Sequence, residues 1–124
     1  KKGFETGTID MMTDGTEERE FLYAEDCCEA LETLMEKYDD FTSDDELHIT
    51  SGISTSILEI GRIITELFAA NGKEVTLSPA QAKDEVQKDA RNIPDPFIRN
   101  YWNPKTSITK GIENIYRGMK QYYE

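Results

Sequence analysis

The chain has 124 residues, 37% hydrophobic and 31% charged, which suits one small globular domain and not a disordered tract. A formal net charge of −11 argues against nucleic acid or an anionic membrane surface as partner, and leaves an anionic ligand only local cationic sites to approach. No apolar run is long enough to span a bilayer, and no apolar leader follows Lys1-Lys2; with no initiator Met, the chain reads as a fragment of a longer protein.

In chain order, Thr8–Met12 is β-compatible, and Asp14-Gly15 is a turn dipeptide because glycine accepts positive φ. Phe21-Leu22-Tyr23 follows as an extended segment and runs into the acidic pair Glu25-Asp26, which suits a helix N-terminus. Arg19 is the one cation of this anionic run, placed where a guanidinium can take a phosphate or carboxylate bidentately. A helix is expected over Glu25–Tyr38, with Ala24, Cys27, Cys28, Leu31, Leu34, Met35 and Tyr38 as its apolar stripe. Adjacent Cys27 and Cys28 suit neither a zinc site nor a disulfide framework and read as reduced cytoplasmic thiols. Asp39, Asp40, Asp44 and Asp45 form a solvated loop without the glycine and closing glutamate of a calcium loop.

Glu46–Thr50 alternates and is expected to be a strand, with Ser51-Gly52 turning the chain. Ser56 with Glu59 makes a capping-box pattern that opens a second helix, ending near Asn71-Gly72. Glu74–Ser78 is a further strand, so that strand, helix and strand make a parallel right-handed crossover. Residues 81 to 103 are polar and rich in breakers, and a last helix runs from Ser107 to Tyr123 with Thr106 as its cap. This helix is expected to bury Ile108, Ile112, Ile115, Tyr116 and Met119. Residues 1–124 form a single α/β unit with three main helices and short strands.

Four segments carry a resemblance. Asp14-Gly15-Thr16 followed by Arg19-Glu20-Phe21-Leu22-Tyr23-x-x-Asp26 resembles the "DGxxxRDFxYxxD" segment of nucleotide-sugar epimerases and dehydratases, with Glu20 in place of the usual Asp. These enzymes are the extended short-chain dehydrogenase/reductases. His48–Gly52 with Thr55–Ile60 resembles "NxGSG…(S/T)xxEL", Asp89–Asp95 resembles "DRRYxxD", and Trp102–Ile112 resembles "GWxPxxSLxEGL". In the second, His48 replaces Asn and Thr50 replaces Gly; before the fourth, the gap from Asp95 to Trp102 is short.

The resemblance implies the C-terminal, substrate-binding unit of such an enzyme, lacking the Rossmann domain. Arg19 and Arg91 are then clamps on a nucleotide diphosphate, and the Ile9–Met12 edge, with Met11 and Met12, lies against the base. A hydrogen bond to a charged group contributes about 1.5–3 kcal/mol, against about 0–1 kcal/mol for an exposed ion pair. Two guanidiniums from separate loops would therefore fix the diphosphate. The plainer reading of Arg19 is a surface cation neutralising Glu17, Glu18 or Glu20, and that of Met11 and Met12 is ordinary packing.

NAD or NADP is expected in the parent enzyme, bound by the missing N-terminal domain and not by this segment, which has no Gly-rich phosphate run. Tyr116-Arg-Gly-Met-Lys120 has the spacing of the family's Tyr-x-x-x-Lys pair, but Tyr116 continues an apolar stripe at the wrong end of the chain. His48 lacks nearby ligands for a metal site, and Trp102 reads as packing at the head of the last helix. The expected partners are a nucleotide-diphosphate sugar, the dinucleotide-binding domain and a second copy in a homodimer. The alternatives are a free-standing acidic interaction module without catalysis, or the same portion of a related reductase or decarboxylase.

Overall fold

A computed structural model describes residues 1–85 and 93–123. Four helices, α1 (Lys2–Thr6), α2 (Ala24–Glu36), α3 (Ile57–Ala70) and α4 (Ile108–Tyr123), pack with four three-residue strands. The strands are β1 (Thr8–Asp10), β2 (Glu18–Glu20), β3 (Ser54–Ser56) and β4 (Thr76–Ser78). β1 pairs with β4 in parallel, Ile9 opposite Leu77. β2 pairs with β3 antiparallel, Arg19 opposite Thr55. The chain is thus the small α/β unit with three main helices that its periodicity predicts.

The Asp14-Gly15 turn forms, with Gly15 at φ +77°, but the strands flanking it join different sheets. A Cβ at Gly15 would fall 2.2 Å from the Met11 methyl and 2.8 Å from the Leu58 backbone nitrogen, so both conformation and space require glycine here. The α3 boundaries follow their local signals. Ser56 Oγ accepts from the Glu59 N–H, and the chain leaves the helix through Asn71 and Gly72, the latter at φ +80°.

Five expectations are corrected. Glu46–Thr50 is not a strand, because no other segment among the described residues pairs with it. The crossover into β4 therefore does not start there: the parallel neighbour of β4 is β1, and the strand leading into α3 is β3. Thr106 does not cap α4; its hydroxyl is engaged by Asp26, and Ser107 Oγ accepts the Lys110 N–H instead. Finally, the apolar stripe of α2 faces solvent at Cys28, Leu31 and Met35, and the inward face is Asp26, Ala30 and Leu34. Ile115 of α4 is also exposed.

One core joins Ala30, Ile98 and Trp102, with Leu22, Leu34 and Ile49 against it. Trp102 has the packing role its place predicted. A second cluster is aromatic: Phe4 stacks on Tyr116 at 5.2 Å, and Phe68 meets Tyr116 edge-on at 5.0 Å.

Candidate functional site: the Arg19 strip

The site is built where the two sheets come together through the 10–20 segment. Beyond β1, Met11 N–H donates to Ser78, Ala80 N–H to Thr13 and Asp14 N–H to Ala82. These bonds carry the β1–β4 ladder on as an irregular strip. Asp14 closes the turn by accepting from the Thr16 N–H at 3.0 Å and the Thr16 hydroxyl at 2.7 Å. Those bonds, the backbone one first, hold its carboxyl below the ordinary aspartate range. Thr13 ties the other side, its hydroxyl donating to Glu17 at 2.6 Å.

Alternation along β2 puts Arg19 on one face and Glu18 and Glu20 on the other. The two acids are engaged: Ser54 Oγ donates to Glu18 at 3.0 Å, and the Thr50 hydroxyl donates to Glu20. Arg19 Nη1 donates to the Glu18 carbonyl at 2.8 Å, and Nη2 to Asp84 Oδ2 at 2.5 Å. The Arg19 side chain is 41% exposed and that of Asp84 17%. Asp84, at the far end of the strip, thus sets a carboxylate against Arg19. The guanidinium is positioned by backbone on one side and carboxylate on the other, with part of it open to solvent.

Of the other predicted site residues, Met11 folds over Gly15, and Met12, beside it on the strip, is 92% exposed. Arg91 lies outside the described residues, so the structure does not bring it to Arg19 or away from it.

Two features escaped the sequence. Asp26, 4% exposed, accepts the N–H of Lys105 and both the N–H and hydroxyl of Thr106, and so ties α2 to the start of α4. As the last residue of the quoted motif, Asp26 was marked by position but not by role. Arg99 donates to the Thr50 carbonyl at 2.8 Å and lies over Trp102 at 5.5 Å, so Glu20, Thr50, Arg99 and Trp102 form a chain from β2 to the core. A lone arginine in a polar stretch gave no signal of this.

An apolar cavity of about 640 Å³ lies between α3 and α4, lined by residues such as Leu22, Ile64, Phe68 and Ile112. Arg19 does not line it; its polar lining includes Lys1, Ser51, Thr55, Lys105 and Ser107. Tyr116 lines it, 6% exposed and with its hydroxyl unpartnered, among Phe4 and Phe68. His48 Nδ1 accepts the Asp95 N–H at 2.9 Å. Among the described residues no cluster of His, Cys, Asp or Glu could hold a metal ion, and no helix is long and apolar enough to cross a membrane.

Backbone N–H groups at and near two helix starts are already engaged. A pyrophosphate cradle needs free N–H groups at the N-terminus of a helix that follows a strand. At α3, the one helix directly preceded by a strand, the Ile57 N–H donates to Glu17, Leu58 to Gly15 and Glu59 to Ser56. Just before α4, Lys105 and Thr106 give theirs to Asp26, and in its first turn Lys110 gives its own to Ser107 Oγ.

The model of the NAD dependent epimerase/dehydratase family matches residues 2–49. A GDP-L-fucose synthase from Sinorhizobium fredii is 29% identical over 91% of this chain and 34% of its own length. The chain thus spans about a third of the curated relatives it matches. In fold, it is similar to a GDP-6-OMe-4-keto-L-xylo-heptose reductase from C. jejuni, with TM-score 0.72, 19% identity, and coverage of 93% of this chain and 34% of that one. It is likewise similar to the UDP-glucuronic acid 4-epimerase from Bacillus cereus in complex with UDP-glucuronic acid and NAD, with TM-score 0.71, 22% identity, and coverage of 98% and 38%.

Proposed function

Taking as premise that this chain belongs to the NAD dependent epimerase/dehydratase family, we propose that it is the nucleotide-sugar-recognition portion of a longer cytoplasmic enzyme. In this reading, residues 1–124 are one substrate-binding domain. Arg19 takes the diphosphate of the nucleotide sugar, Arg91 is the second clamp, and Met11 and Met12 lie against the base. The observation that carries it is Arg19 itself: a guanidinium fixed at both ends, partly open, in a chain otherwise strongly anionic. The names of its relatives, among them a GDP-L-fucose synthase, support a nucleoside diphosphate as the ligand class.

NAD or NADP in the parent enzyme would supply hydride removal and return at a sugar carbon, held in this reading by the dinucleotide-binding domain and not by this segment. The part of this segment's residues is binding: neutralising the diphosphate in a site that excludes water from it, and leaving the sugar to project beyond. Alone, the segment has no turnover. The exposed stripe of Leu31 and Met35 on α2, continued by Tyr38, is the face we place against the dinucleotide-binding domain, or against a second copy when that domain is absent.

Titration with UDP, GDP and dTDP tests the reading. Binding is expected to weaken with salt and to be lost in Arg19→Ala, with Arg19→Lys only partly restoring it because a lysine has no planar fork. Unchanged affinity in Arg19→Ala, in a folded variant, would end it.

A further inference from the structure

The anion seat on Arg19 is already taken by Asp84, and three facts bear on how. The contact is a direct charge-assisted bond of 2.5 Å from Nη2 to Oδ2. The two residues come from opposite halves of the chain, so their meeting reflects the fold and not a local turn. The strip delivers Asp84 there: the bonds Ala80 to Thr13 and Asp14 to Ala82 hold the backbone as far as residue 82, two residues before Asp84.

We infer that Asp84 is a resident competitor for the phosphate seat, and so sets the affinity of this site for nucleoside diphosphates. This rests on the reading of Arg19 as the diphosphate clamp. A phosphate oxygen and the Asp84 carboxylate want the same N–H donors. With both at one guanidinium, two like charges would sit a few ångströms apart in a partly dehydrated place. An incoming diphosphate therefore exchanges with the carboxylate at the Arg19 guanidinium. No bond is made or broken covalently, and the guanidinium keeps its Glu18 carbonyl contact throughout.

The consequence separates Asp84 from a merely structural acid. If it competed for nothing and only oriented Arg19, its loss would weaken ligand binding. As a competitor, its loss strengthens binding, and only while Arg19 is present.

The test is a double-mutant cycle on the chain in its native polypeptide, with UDP and GDP as probes and thermal unfolding followed by circular dichroism as the folding control. Asp84→Asn, with Asp84→Ser as a second variant, is expected to tighten UDP and GDP binding by about threefold to tenfold. In an Arg19→Ala background the same substitution is expected to give no gain. Glu85→Gln, the removal of a neighbouring exposed charge, is expected to give a markedly smaller one.

Weaker or unchanged binding in both folded Asp84 variants overturns the inference while leaving Arg19 as the clamp. An equal gain from Glu85→Gln, or a gain that persists without Arg19, overturns it too, since the effect would then be general charge. If Arg19→Ala itself leaves affinity unchanged, the functional reading beneath has failed, whatever Asp84 does.

Discussion

Thr106 gives both its backbone N–H, at 2.8 Å, and its hydroxyl, at 3.2 Å, to the carboxylate of Asp26 on the first turn of α2. With the Lys105 N–H, three donors converge on one buried side chain. Removing it strands two backbone N–H groups in a place with little water. Asp26→Ala is expected to destabilise the chain by about 2–4 kcal/mol, read from urea unfolding. Asp26→Asn, which keeps one acceptor oxygen, should lose about half as much. A loss below about 0.5 kcal/mol in the alanine variant would mean that the link between α2 and α4 carries no load.

The turn at Gly15 offers an independent check. Gly15→Ala places a methyl into the Met11 side chain and the Leu58 backbone, at positive φ. A cost of about 1–3 kcal/mol is expected. Pairing it with Met11→Ala should recover only part, because the Leu58 backbone cannot move aside as a methionine can.

Tyr116 distinguishes packing from chemistry. Its hydroxyl is buried without a partner, so Tyr116→Phe removes an unsatisfied group while keeping the ring against Phe4 and Phe68. Stability is expected to hold or rise by up to about 1 kcal/mol, and turnover of the intact enzyme to stay unchanged. Loss of turnover with folding intact would make Tyr116 an acid/base residue after all.

The pH dependence of stability follows from two partly exposed carboxyls. Thr16 bonds lower Asp14, and Lys110, followed by Arg117, lowers Glu113. A depressed folded-state pKa means stabilisation that is present above the unfolded value and lost as pH falls through the folded one. Both contributions should therefore be intact at neutral pH and fade below about pH 4. Lys105, raised first by its hydrogen bond to Glu29, adds the opposite limb. Its contribution is present below the ordinary lysine value and fades as pH climbs beyond it. Asp14→Asn should flatten the acid limb of the thermal midpoint, and Lys105→Met the alkaline one.

Local signals were legible in the sequence and relational ones were not. Ser56 at the start of α3 and Asn71-Gly72 at its end are decided within a turn of backbone, and both stand where the residue types put them. Ser107 and Thr106 are equally good caps by type; the choice between them falls to Asp26, a residue far away in the chain. Glu46–Thr50 has strand alternation, but alternation only prepares a strand, and pairing needs an edge that the described residues do not supply. The same holds at the site. Arg19 stood out as a cation in an acidic run, whereas Asp84 looked like one more acid in a polar loop until the strip delivered it.

The two small sheets have a kinetic corollary. Among the described residues, β1 pairs with β4 and β2 with β3, with a whole helix or more of chain lying between the partners in each case. Neither sheet holds a hairpin, so the entropy of closing long loops must be met before any ladder bond forms. The helices are expected to appear early and the strands to zip late. On the ribosome, the first strand would wait, unpaired, for residues synthesised much later.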